Sequence, residues 1–198
     1  MSVSLSADGN TAIVGGWRAE GAWVFTRSGG VWRQQGNKLV GTGAAGSAHQ
    51  GISVALSADG NTAIVGGARR QPGRSIGTIR SRGSRGSVDF HPKWWCVDAG
   101  RGQTNGVAGS ARQGLSVALS ADGNTALVGG LVDDGGVGAA SVFTRSSGHW
   151  TQNKKLVGTG AIAASSVALS GDGSIAMIGA SNDSGGVGAT WVFARSSP

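Results

Sequence analysis

One stretch, SVALSADGNTAIVGG at Ser53 to Gly67, recurs almost letter for letter along the chain, starting again at Ser2, Ser116 and, more worn, Ser166. A second block follows each of three copies, as GAWVFTRSGGVW from Gly21, GAASVFTRSSGHW from Gly138 and GATWVFARSS from Gly188. Val3, Val54, Val117 and Val167 mark equivalent points, at intervals of 51, 63 and 50 residues, so one interval carries an insertion. A chain built this way does not assemble one central core; each unit covers its apolar surface against its neighbours. Residues 1-198 therefore read as one repeat array with units near 1-51, 52-114, 115-164 and 165-198.

Within a unit the pattern has strand periodicity. Val3 and Leu5 alternate with serines, Thr11-Ala12-Ile13-Val14 is nearly continuous and apolar, and Ala7-Asp8-Gly9-Asn10 between them carries the Asp-Gly of a tight turn. The first half is a hairpin whose second strand is apolar on both faces, as in a sheet held between two other sheets. Gly15-Gly16 is expected to end that strand, where a side chain would keep neighbouring backbones apart. The second half gives Ala22 to Thr26, a turn at Arg27-Ser28-Gly29-Gly30, then Val31 to Gln34 and on through Lys38-Leu39-Val40. Helical periodicity is absent, and 38 glycines against 3 prolines sit at fixed repeat positions, which suits turns. The expected fold is all-β: about four four-stranded antiparallel units, each a β-propeller blade.

The pattern SVALSADGNTAIVGG, then GAAWVF, then TRSGGVW resembles the bacterial FG-GAP repeats, relatives of the integrin alpha-subunit propeller blades. The resemblance covers about 160 of the 198 residues. It implies a propeller, which in that family usually has seven blades, and a full ring at this period needs roughly 350 residues. With three units and most of a fourth, the chain is expected to be a partial or open propeller. It implies a non-enzymatic module for protein or glycan interaction, belonging to a larger secreted or cell-surface protein. Open blade edges predict self-association. The residues leave two alternatives standing: part of an enzyme propeller whose site lies in other blades, and a gene fragment without function.

The insertion departs from everything around it. From Arg69 to Asn105 the repeat gives way to a basic stretch holding eight Lys and Arg against two Asp, so nearly all of the net charge of +7 sits there. An array almost neutral elsewhere has no basic face, and no nucleic-acid partner is expected. Tryptophan has one codon, so Trp94-Trp95-Cys96 read one nucleotide later becomes Gly-Gly at its start. With permitted codons, Arg85 to Asp98 shifted the same way reads GAAWIFTRSGGVWT, the missing half-blade. Residues 69-105 are accordingly expected to be frameshifted and poorly ordered, with Ser87 to Phe90 alone offering strand alternation.

Candidate chemistry is sparse. Cys96 and His91 beside Trp94 and Trp95 fall short of the four ligands of structural zinc. Calcium is the one cofactor worth weighing, at the acidic loops Asp133-Asp134 and Asn182-Asp183, which occupy matching positions. Some FG-GAP relatives carry Asp-x-Asp-x-Asp-Gly calcium loops, and neither stretch has that spacing, so solvated turns are expected and no cofactor. Asp8, Asp59, Asp122 and Asp172 recur in every unit, which assigns them to the turn, since a catalytic residue is needed once. Trp23, Trp32, Trp150 and Trp191 sit at repeat positions and are expected to pack between blades. His49 and His149 do not coincide in the repeat, and no nucleophile is marked out. No apolar run reaches about 18 residues, so no membrane span is expected. Met1 leads directly into a strand without a signal peptide, and the lone Cys96 forms no internal disulfide.

Overall fold

The computed structural model describes residues 1-41, 49-67, 77-81, 113-131, 137-159 and 164-195. These residues form four antiparallel sheets. The first contains β1 (Ser2–Leu5), β2 (Thr11–Gly16), β3 (Gly21–Ser28) and β4 (Val31–Leu39) in that order. The second has β5 (Ser53–Leu56), β6 (Thr62–Gly66) and β7 (Gly77–Ser81). The third has β8 (Gln113–Leu119), β9 (Thr125–Gly130), β10 (Ala139–Ser146) and β11 (His149–Leu156). The fourth has β12 (Ala164–Leu169), β13 (Ile175–Ala180) and β14 (Ala189–Ala194). The first strands β1, β5, β8 and β12 touch in succession, so the sheets radiate from one side as propeller blades do.

The expectation of four strands in each unit holds for the first and third. The second and fourth have three each among the described residues. In the second unit the third strand is Gly77–Ser81; the alternating Ser87 to Phe90 lies outside the described residues with most of the insertion. The backbone of β7 pairs with β6 from Thr62↔Ser81 to Gly66↔Gly77. The edge of a buried strand accepts any extended partner.

The strands end at the paired glycines as expected, β2 at Gly16 and β6 at Gly66. A side chain on Gly15 would run into the Gly51 carbonyl, and one on Gly66 into that of Gly114. Glycine is required there by the close approach of the next unit's backbone.

Apolar burial lies at the seams. Ile13, Ala22, Val24 and Leu39 of the first unit form one cluster with Ala63 and Val65 of the second, and Val54 and Leu56 pack onto it. Ile64 enters a second cluster with Ala126, Val128 and Phe143, and Leu127 a third with Ala140, Ala176 and Ile178. Each unit thus sends one face forward and receives its successor's other face. At about 1.5 to 3 kcal/mol for each large side chain buried, the seams supply the array's stabilisation.

Candidate functional site

The polar groups repeated in every unit cluster at the Asp-Gly turn. Ser6 Oγ donates to Asp8 Oδ1 at 2.5 Å, the Asn10 N–H donates to the same oxygen at 2.9 Å, and Asn10 Nδ2 donates to Asp8 Oδ2 at 3.1 Å. The Thr11 N–H then donates to Ser6 Oγ at 2.9 Å. The same set closes around Asp59 and Asp122, and Ser170 and Ser174 provide it for Asp172. Glycine follows each aspartate in the left-handed region, at φ of 66°, 68°, 67° and 72°.

Bonds to the ionised carboxylate hold it below the usual range. For Asp8 and Asp122 the serine hydroxyl is the largest cause, followed by the main-chain N–H two residues on. Asp172 is lowered to about 2 by Ser170 and Ser174. At Asp59 partial burial pushes the value up, and the bonds from Ser57 and Asn61 together outweigh it. These carboxylates are depressed because their lone pairs are occupied, which makes them poor general bases at neutral pH and good turn locks.

Of the acidic loop candidates, Asp133 and Asp134 lie outside the described residues. Asp183 is buried and opens a single 3-10 turn, Asp183–Gly186, whose closing bond is main-chain, from the Gly188 N–H to the Asp183 carbonyl at 3.0 Å. Asn182 precedes it and makes no side-chain cap bond. No three His, Cys, Asp or Glu converge among the described residues. His91, Trp94, Trp95 and Cys96 lie outside them.

The tryptophans divide. Trp150 packs onto the second seam cluster, and the Trp191 ring lies against Gly158 of the preceding unit, where a side chain would strike the indole. Trp32 and Trp23, in the first unit, have no preceding unit within the described chain to cover them. Trp32 is exposed, with the Arg27 guanidinium 5.9 Å from its ring centre. Trp23 lines an open cleft of about 490 Å3 with Met1, Gly16, Trp17, Arg18 and Ala19.

Trp17–Ala19 form a 3-10 turn between β2 and β3, as Asp183–Gly186 do between β13 and β14. The Arg18 guanidinium stands 5.1 Å over the Trp17 ring, and His49 meets that ring edge-on, with centroids 5.2 Å apart. Glu20, at φ 54°, fixes the corner: its two carboxylate oxygens accept the N–H groups of His49 and Gln50, each at 3.1 Å. Lys38 Nζ donates to the Ala19 carbonyl at 2.8 Å. Sequence reasoning passed over this corner because it looked for what recurs. The available signal was the opposite: Trp17-Arg18 stands where the third and fourth units carry Leu131-Val132 and Ser181-Asn182.

The chain matches no family profile and no curated protein. Its backbone is similar to several solved propellers. A provisionally assigned 6-phosphogluconolactonase from Bacteroides uniformis superimposes with a TM-score of 0.62 at 14% identity, over 98% of this chain and 50% of that one. TolB from Acinetobacter baumannii gives 0.53 at 12% identity, over 98% of this chain and 40% of that one. A chain of the mitotic checkpoint complex gives 0.55 at 17%, over 98% and 50%. This chain is thus a run of propeller blades spanning about half the length of the propellers it matches. No helix among the described residues is long and apolar enough to cross a membrane.

Proposed function

We propose that this chain is a non-enzymatic β-propeller repeat module of the FG-GAP kind, holding a protein or glycan partner as one part of a larger exported surface protein. One contrast carries the reading. The serine, aspartate and asparagine groups that the units share are spent on turns, while Trp17, Arg18 and His49 make an aromatic and cationic corner that, among the described residues, belongs to one unit alone. Repeated parts build a scaffold, and unrepeated exposed parts on it are where recognition resides. A flat indole face beside a guanidinium suits the apolar face of a sugar ring or an aromatic or acidic side chain of a protein.

The test is a glycan and protein-ligand array probed with the 198-residue chain, followed by titration of each hit against Trp17→Ala and Arg18→Ala. The expected result is binding that both substitutions weaken. Hits unaffected by either substitution overturn the assignment of the corner, and catalytic turnover of a lactone or ester substrate by the purified chain overturns the non-enzymatic reading.

A further inference from the structure

We infer that the ligand held at the Trp17 corner is an acidic sugar, a hexuronate unit whose ring carboxylate pairs with Arg18 while its ring lies against the indole. The inference rests on the reading of this corner as the recognition site and goes on to name the ligand. The corner joins the connection between β2 and β3 to His49 and Gln50, which lead into the second unit, so it bridges a seam inside the chain and not one of the two end faces.

The corner presents donors and has spent its acceptors. Both Glu20 carboxylate oxygens accept main-chain N–H groups, from His49 and Gln50 at 3.1 Å each, and the Ala19 carbonyl accepts Lys38 Nζ at 2.8 Å. Arg18 is exposed, and among the described residues its guanidinium has no hydrogen-bond or carboxylate partner. An arginine side chain only donates, and a carboxylate only accepts, so the two are complements. A neutral sugar hydroxyl has to give as well as take, and the Glu20 and Ala19 oxygens are already engaged. Lys38, tied beside Ala19, adds a second positive charge, so Arg18 and Lys38 outnumber the one carboxylate, Glu20.

The guanidinium is positioned before any ligand arrives. Its carbon stands 5.1 Å from the Trp17 ring centre, and His49 braces the same ring edge-on, with centroids 5.2 Å apart. Stacking restrains the guanidinium without using its N–H groups, which leaves the paired donors that match a carboxylate as a fork. Direct face overlap would bring the two groups to about 3.5 to 4 Å, so Arg18 does not cap the indole closely, and ring surface remains for a second flat group. Two side-chain-bearing residues in the left-handed region meet here, Glu20 at φ 54° and His49 at φ 53°, and the Glu20 carboxylate ties them together. Such backbone is unfavourable unless the surrounding bonds hold it, and it gathers at ligand clamps.

A sugar fits this corner better than an acidic side chain of a protein. A hexuronate carries its carboxylate on a rigid ring with a flat apolar C–H face, so one unit meets indole and guanidinium together and loses little freedom on binding. An Asp or Glu side chain brings its carboxylate on a flexible stem and has no flat face. The Asp-Gly turn of the first unit does not oppose this ligand. It stands at the other end of β2 (Thr11–Gly16), about 17 Å away along the strand, against a screening length of about 8 Å at physiological salt.

The test is calorimetric titration of the 198-residue chain with oligomers of galacturonate, of mannuronate and of hyaluronan, each also as its methyl ester, which keeps the ring and removes the charge. In at least one series the acid is expected to bind about 10-fold or more tighter than its ester, as one charge-assisted pair allows. That comparison uses the unaltered chain and needs no variant to fold. Arg18→Lys keeps a charge and loses the fork; it is expected to remove most of the preference and leave the ester's affinity unchanged, whereas Trp17→Ala is expected to weaken acid and ester alike. Equal binding of acid and ester, no binding of any acid form at about 1 mM, or a preference that survives Arg18→Lys each overturns the inference. Polyglutamate bound through Arg18 in place of every sugar overturns the choice of a sugar. The underlying assignment of the corner fails separately: a neutral glycan or a protein that binds and is weakened by Trp17→Ala keeps the corner as the recognition site while the acidic sugar falls, and sugar binding indifferent to both Trp17→Ala and Arg18→Ala removes both.

Discussion

A glycine at the Asp-Gly turn has two separate reasons to be there, and substitution at matched positions measures them apart. Gly9 and Gly123 adopt nearly the same backbone, at φ of 66° and 67°. A side chain in that region costs about 1 to 2 kcal/mol wherever it is placed. A Cβ on Gly9 would meet nothing within 4 Å, whereas one on Gly123 would lie 2.7 Å from Thr62 Oγ1 and 2.8 Å from Thr62 Cβ. Thr62 is itself buried and held in β6, so it has nowhere to swing, and forced overpacking of this kind costs about 1 to 3 kcal/mol more. Gly123→Ala is therefore expected to lose about 2 to 5 kcal/mol and Gly9→Ala only about 1 to 2. Urea unfolding of both variants at constant slope reads the difference as a shift in midpoint. Equal losses, within about 0.5 kcal/mol, would refute the claim that this turn is also a blade-to-blade contact.

Ser120→Ala removes a fully buried hydroxyl that donates to Asp122 and accepts from the Thr125 N–H. A loss of about 1 to 3 kcal/mol in urea unfolding is expected, and no loss would sink the role given to the turn serine. Leu127→Ala empties a 0% exposed position at the third seam and is expected to cost about 2 to 5 kcal/mol, whereas Val192→Ala, on the bare forward face, is expected to cost well under 1 kcal/mol in a monomeric sample. Acid stability has a defined direction. Asp8, Asp59, Asp122 and Asp172 all titrate below the ordinary 3.8 in the folded chain. Their contribution is therefore present above that value and is lost as pH falls toward the folded values, about 2 for Asp172. Tm is expected to drop between pH 4 and 2, and a Tm that stays flat across that window would contradict the bonding described at the turns.

The hairpins, the Asp-Gly turns and the stacking of units were legible because each depends on local chemistry written four times. Asp8 with Gly9 specifies a turn whatever surrounds it, and Val3 alternating with Ser2 and Ser4 specifies a half-buried strand. Gly15 and Gly16 were legible as the end of a strand where backbones come close, but the backbone concerned was not, because it lies 36 residues away in the Gly51 carbonyl. The third strand of the second unit, Gly77–Ser81, was hidden too, since a strand that pairs through its backbone to a buried edge needs little side-chain pattern.

The bare faces were hidden in a deeper way. TAIVGG occurs twice without a letter changed, at Thr11 to Gly16 and at Thr62 to Gly67. In β6 every residue is buried, and in β2 buried residues alternate with half-buried ones. The same six residues thus report opposite surroundings, because what covers a blade face is the neighbouring unit and not the strand itself. A repeat encodes the seam it can make, on both of its faces, in every copy. Whether a seam is filled is a property of the array, and so is the consequence that Val3, Leu5, Met177 and Val192 stand exposed where their counterparts are covered. The proposed recognition corner at Trp17 follows the same logic in reverse: it stands out only against Leu131-Val132 and Ser181-Asn182 at the matching places of the third and fourth units, since within its own stretch a tryptophan beside an arginine carries no signal of its own.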